Sequence, residues 1–226
     1  MAEMSVELID YMGSDLSVVN AARVSFDKES DWEYSDYGGQ AHRILGLSGK
    51  DTKLIYYLAK HKHKSPFNHA FLSFRVKAPL VIARQLVKHE YLPWNEVSRR
   101  YVDSEPEFYI PKQWRKKADN VKQGSSEEVV EDLDLSLVYE TFNTAYDSYQ
   151  SLLDSGVAAE QARMVLPQAM MTEWIWSGSL YAFMKMCKLR LDPHTQKETR
   201  EVAERVFKEI ESLFPVSAKA LLEYAE

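Results

Sequence analysis

Ala70-Phe71-Leu72-Ser73-Phe74-Arg75-Val76-Lys77-Ala78-Pro79-Leu80-Val81-Ile82-Ala83-Arg84-Gln85-Leu86-Val87-Lys88-His89 changes its period midway. Up to Lys77 the apolar residues alternate: Ala70, Leu72, Phe74 and Val76 on one face, Ser73, Arg75 and Lys77 on the other. This is the period of two that marks a half-buried strand. Pro79 suits the first turn of a helix, where its missing N–H costs nothing, and the helix is expected to run to about His89. Arg84 and Lys88 are four apart and share one face of it.

Upstream, Val6 to Tyr11 reads as a short strand. Ser14-Asp15-Leu16-Ser17 then offers short polar caps for a helix that reaches Arg23. Residues 27–50 are polar and Gly-rich and predict a mobile loop with some local structure. Leu54 to Lys62 predicts a second helix. Downstream, 115–134 begins basic (Arg115, Lys116, Lys117) and turns acidic (Glu127, Glu128, Glu131, Asp132, Asp134), which predicts a polar surface excursion. From Leu135 the apolar positions keep helical spacing until Ser155-Gly156. Gln161 to Leu166 reads as helical up to Pro167. Met170 to Trp176 reads as a strand followed by a helix through Cys187. Thr195…Glu198 has capping-box spacing for the next helix, and Ser217 to Tyr224 gives a last one. Few strands among many helices predict an α+β fold with a central mixed or antiparallel sheet.

The 226 residues suit one domain spanning 1–226. With 34 acidic and 28 basic side chains the net charge is −6, which argues against a nucleic-acid coat. No apolar run of about 18 residues predicts a membrane span, and the first residues lack the basic and apolar regions of a signal peptide. The single Cys187 forbids an internal disulfide and a multi-Cys zinc site. A cytoplasmic protein is expected.

Three segments put cations in apolar context: one holds Arg84 with Lys88, one Arg163 before Pro167, and one Arg190 after Leu189. A buried guanidinium needs an anion and several acceptors. A carboxylate of the same chain satisfies that need, and so does a bound phosphate. Asn95-Glu96-Val97-Ser98-Arg99-Arg100-Tyr101 reads equally as a solvated loop or as a set of donors and acceptors for a planar ligand with a phosphate. His61, His63 and His69 lack accompanying Cys or carboxylates, so no metal is expected. Neither a G-x-G-x-x-G nor a P-loop is present.

Arg84-Gln85-x-x-Lys88-His89 followed by Asn95-Glu96-Val97-Ser98-Arg99-Arg100-Tyr101 resembles the signature of flavin-dependent thymidylate synthases. That signature is Arg-His-Arg, seven residues, then Ser. Here Tyr91 to Val97 make the gap and Ser98 follows it. His63-Lys64-Ser65-Pro66-Phe67-Asn68-His69, Ala162-Arg163-x-Val165-Leu166-Pro167 and Leu189-Arg190-x-Asp192-x-His194-x-Gln196-x-Glu198 are similar to further motifs of the family. The sequence departs at Lys88 and Glu90, where the family has Arg, and at Ser179, Tyr181 and Lys185 on the flavin side.

The resemblance implies reductive methylation of deoxyuridylate (dUMP) to dTMP. Methylenetetrahydrofolate would be the one-carbon donor, and FAD reduced by NADPH the hydride source. It implies a homotetramer with active sites between subunits. It places Gln85, Lys88, Glu96, Val97, Ser98, Arg99, Arg100, Arg163 and Arg190 around dUMP, with Arg190 as the catalytic residue that stabilises charge on the uracil ring. It places Ser25, His63, Ser65, Asn68, Lys88, His89, Glu90, Glu96, Ser179, Tyr181 and Lys185 around FAD. A catalytically lapsed nucleotide-binding homologue is the alternative, as is a sibling that places another one-carbon group on a pyrimidine nucleotide.

Overall fold

Residues 2–34, 44–102, 104–119 and 125–225 are described in a computed structural model of the chain. In chain order the elements are β1 (Ser5–Met12), α1 (Asp15–Arg23), β2 (Glu33–Tyr34), β3 (Ile44–Gly46), α2 (Gly49–Lys60), β4 (Phe71–Pro79), α3 (Leu80–Leu86), β5 (Trp94–Glu96), β6 (Arg115–Lys117), β7 (Ser125–Val129), α4 (Ser136–Asp154), α5 (Ala159–Ala162), β8 (Met171–Ser179), α6 (Leu180–Arg190), α7 (Lys197–Leu213) and α8 (Pro215–Tyr224). The central sheet has the order β1-β4-β8-β5, and every pairing in it is antiparallel. Of the expected mixed or antiparallel sheet, the antiparallel form is found, within an α+β architecture.

The alternation read in β4 sets which face is covered. Leu72, Phe74 and Val76 are buried with Trp174 and Trp176 of the neighbouring β8. Against them lie Phe183, Met184 and Cys187 of α6, with Val202, Val206 and Ile210 of α7 in the same core. Phe183 meets Phe74 edge-on at 5.1 Å and Trp176 at 5.3 Å. The other face of the sheet is polar. Ser73 and Ser177 share a hydrogen bond of 2.8 Å, and Arg75 pairs with Glu173 at 2.7 Å. One apolar face and one polar face are what an antiparallel sheet permits.

Several elements differ from the sequence reading. The strand continues through Pro79, which stands at the N-cap of α3, and α3 ends at Leu86, short of His89. Helix α2 begins at Gly49, inside the stretch read as loop, because the Ser48 hydroxyl accepts from the Asp51 N–H at 3.1 Å. Asp51 is buried and also accepts from Arg23, Ser30 and Ser48. Thr195 does not cap α7. Gln196 stands at that position, Thr195 Oγ1 donates to the Leu189 carbonyl, and Glu198 turns elsewhere. Residues 115–134 contain the β6–β7 hairpin, whose Lys116–Glu128 pair is exposed, as expected of a surface excursion. Arg115 is the exception, since its side chain enters the protein to meet Glu198. Residues 35–43 and 120–124 of the two polar stretches lie outside the described residues. No helix among the described residues is long and apolar enough to cross a membrane.

Candidate functional site

The sequence candidates fall into three groups. The first lines a cleft of about 810 Å³ between β5, β8 and the turn after α5; Glu96, Val97, Arg99 and Arg163 all face it. Strand β5 puts Glu96 opposite Trp174 of β8. The Glu96 carboxylate is fixed from both sides, by Thr172 Oγ1 at 2.7 Å and by Trp94 Nε1 at 3.0 Å. Arg163 is exposed, its Nε donating to the Glu160 carbonyl at 3.3 Å. Ser98 and Arg100 do not line this cleft; Arg100 Nε donates to Ser98 Oγ at 3.3 Å and its guanidinium lies over the Tyr101 ring.

The second group surrounds Arg190, at the end of α6. Its Nε donates to His89 Nε2 and its Nη2 to the Gln85 carbonyl, both at 2.9 Å. His89 Nε2 must therefore accept, which assigns the ring proton to Nδ1. Burial first, then the charges of Arg190 and Lys185, depress the His89 pKa to about 4. The Gln85 side chain turns inward: Nε2 donates to Gln196 Oε1 at 2.7 Å and Oε1 accepts from Thr199 Oγ1 at 3.1 Å. Gln196 Nε2 in turn donates to Glu198 Oε2 at 3.0 Å. Arg115 grips Glu198 with two hydrogen bonds, at 2.8 and 3.0 Å, and the two side chains are only 11% and 9% exposed. Burial alone would raise the Glu198 carboxyl, but the hydrogen bonds from Arg115, from the backbone and from Gln196 outweigh it and hold it below its ordinary range.

The third group lines a cavity of about 500 Å³ between α1 and α2, with Ser25, His63 and Ser65 beside Arg23, Phe26 and Tyr57. Phe26 and Tyr57 are exposed, and Tyr57 lies nearly parallel to His63 at 6.0 Å. Tyr57 also packs against His61 at 4.3 Å, and the exposed Phe26 ring next to hydroxyls and an imidazole suits a flat heteroaromatic ring with a hydroxylated tail. FAD fits that donor set. Asn68 and Ser179 are bonded to each other at 2.7 Å, and Ser179 also caps α6. The departures come as contacts: Lys185 reaches Glu90 at 4.0 Å, and Lys64 lies 5.5 Å from the centre of the Tyr181 ring. Lys88 is exposed.

The sole cysteine is remote from all three groups in character. Cys187 is fully buried in the core, and burial pushes its thiol pKa far up. Among the described residues no group of three His, Cys, Asp or Glu side chains could hold a metal ion.

Sequence reasoning missed Thr172, Thr199, Gln196 and Arg115 as parts of these groups. Gln196 and Glu198 stand within a quoted motif, but the Thr195…Glu198 spacing presents them as a helix start. Arg115 gave no signal, because its partner lies 83 residues away.

The sequence profile of the family described as "Thymidylate synthase complementing protein" matches residues 7–216. A flavin-dependent thymidylate synthase of Kosmotoga olearia is 38% identical over 225 residues, covering 97% of this chain and 90% of that protein. The chain belongs to the flavin-dependent thymidylate synthase family. A second family member, from Thermus thermophilus, is 37% identical, covering 97% of this chain and 76% of its own length. Among solved structures, the UMP/dUMP methylase PolB of Streptomyces cacaoi bound with 5-Br dUMP superposes with a TM-score of 0.81 at 31% identity. That match covers 99% of this chain and 97% of PolB. For a flavin-dependent thymidylate synthase, the buried Cys187 removes any thiolate from the candidate groups.

Proposed function

We propose that the chain methylates dUMP to dTMP, taking the carbon from methylenetetrahydrofolate. The observation that carries the reading is chemical. The only cysteine is sealed in the core, while a guanidinium, Arg190, is held ready at the end of α6. A pyrimidine ring here is activated by charge and not by thiolate attack. Arg190 stabilises the negative charge that develops at the uracil N3 edge, which makes C5 the nucleophile. Arg163 and Arg99, on the cleft wall, suit charge-assisted bonds to phosphate. Glu96, pinned by Thr172 and Trp94, orients what enters beside them. Val97, Ser98 and Arg100 complete the dUMP side of the reading, with Gln85 and Lys88.

FAD, when bound, would supply the reducing equivalent, with NADPH as its source. Ser25, His63 and Ser65 would hold it, with Asn68, His89, Glu90, Glu96, Ser179, Tyr181, Lys88 and Lys185 on its remaining sides. Arg190 and Gln85 do not line the cleft that Glu96, Val97, Arg99 and Arg163 line. A homotetramer whose active sites lie between subunits brings one protomer's groups to another's. The reading places the enzyme in the cytoplasm with its nicotinamide and folate co-substrates.

The Glu90–Lys185 and Lys64–Tyr181 contacts favour two alternative readings, a sibling enzyme and a lapsed homologue, each with a rebuilt flavin side. Product mass decides between them. The protein is incubated with dUMP, and separately with UMP, plus methylenetetrahydrofolate, FAD and NADPH, and each component is omitted in turn. A methylated dUMP that needs all four components is expected. A product of another mass indicates the sibling, and bound but unchanged dUMP indicates the lapsed homologue.

A further inference from the structure

An ionised carboxylate can only accept hydrogen bonds, whereas a carboxamide has one accepting and one donating end. That asymmetry gives direction to the chain of contacts between the β6–β7 hairpin and Arg190. Glu198, ionised against Arg115, requires a donor from Gln196, and Gln196 Nε2 supplies it at 3.0 Å. The Gln196 amide is thereby oriented, with Oε1 left to accept from Gln85 Nε2 at 2.7 Å. The Gln85 amide is oriented in its turn, and its Oε1 meets the hydroxyl of the fully buried Thr199. Two bonds thus tie the last turn of α3 to the first turn of α7.

The backbone of that same last turn holds Arg190. Helix α3 ends at Leu86, so the Gln85 carbonyl is one of the terminal carbonyls that lack an intrahelical partner. It accepts from Arg190 Nη2 at 2.9 Å, and His89, one turn further on, accepts from Arg190 Nε. We infer that Gln196 is a positioning residue for Arg190, joining the buried Arg115–Glu198 pair to Gln85, whose carbonyl oxygen holds the Arg190 guanidinium. Displacing a catalytic group by about 1 Å is enough to cost up to about 100-fold in rate. The hairpin therefore reaches the chemistry through Gln196 without touching substrate.

The assignment of Arg190 to dUMP rests on the function proposed above; the geometry of the relay does not. The test uses Gln196→Asn. Asn is a favoured N-cap residue, so α7 keeps its start, but the side chain is one methylene too short to hold both Gln85 and Glu198. Gln196→Leu, which fills the space without polar atoms, is the second variant, and Lys116→Met, on the exposed edge of the hairpin, is the control.

The readouts are the midpoint of His89 by NMR of the purified protein and steady-state kcat and KM for dUMP. Both Gln196 variants are expected to raise the His89 midpoint above the parent's, as Arg190 moves off the ring, while burial, the larger cause of the depression, keeps it below the ordinary 6.5. They should also lower kcat/KM by about tenfold, mainly in kcat, in a protein that remains folded by a cooperative thermal transition. Lys116→Met should change neither. An unchanged His89 midpoint in a folded Gln196→Asn protein overturns the proposal, whatever the activity. If the parent enzyme does not turn over dUMP, the functional reading fails and the His89 midpoint still decides the relay.

Discussion

His89 would ordinarily titrate near neutrality, yet its environment removes that behaviour. Burial is the main cause; in addition its Nε2 faces the Arg190 guanidinium, and Lys185 on the same helix as Arg190 adds a second positive charge. Between the unfolded value of 6.5 and the folded value of about 4 the unfolded chain binds more protons. Stability therefore rises with pH through that window. The contribution is complete above about 6.5 and is lost as the pH falls toward 4. The same event takes away the acceptor that orients Arg190. Affinity for dUMP, measured by calorimetry, is expected to stay flat from pH 8 to about 6 and to fall in the acid limb. In His89→Asn, whose side chain does not titrate, the part of that fall due to His89 should vanish. On the proposed function, Arg190→Ala is expected to lower kcat/KM by about 100-fold or more. Size-exclusion chromatography should show an elution volume equal to the parent's.

At the scale of elements, the turn after α3 illustrates what a sequence conceals. Tyr91 has φ +61°, in the left-handed region that a tyrosine enters at a cost of about 1–2 kcal/mol, and its side chain is 83% exposed. The turn presses on β8: a Cβ at Gly178 would lie 3.1 Å from the Tyr91 carbonyl oxygen and would overlap Leu92. Tyr91→Gly is expected to stabilise by about 1 kcal/mol, and Gly178→Ala to destabilise by about 1–3 kcal/mol, in chemical denaturation.

Strands β4 and β8 and the helices that follow them were legible, because one face is buried and periodicity records burial directly. The early start of α2 carries a local signal, the Ser48 cap on Asp51, that the polar, Gly-rich composition around it masks; what the sequence does not show is that Asp51 is also buried by Arg23 and Ser30, far away in the chain. The same holds for the site. The Asn95–Tyr101 stretch was visible as chemistry, and Glu96, Val97 and Arg99 do share a cleft with Arg163. That Gln85 turns inward to α7 depends on Thr199 and Gln196, and only tertiary contact reveals it.

At the scale of the molecule, the Arg115–Glu198 pair fastens the hairpin to the helical layer. Removing one partner strands a buried charge. Arg115→Met is expected to cost about 3–5 kcal/mol, and the double replacement with Glu198→Met to recover most of the loss. Thermal unfolding of the two variants separates this from a surface pair, which would be worth less than about 1 kcal/mol in either context. The core itself holds the other consequence. Because Cys187 is sealed and its thiol stays protonated, a maleimide or disulfide reagent should leave the native protein untouched and react once denaturant opens it. Any cysteine introduced on the surface then becomes the single attachment point for a spin label or dye. At Lys116 such a probe would report the spacing between copies of the chain in solution, with no need to remove the natural thiol first.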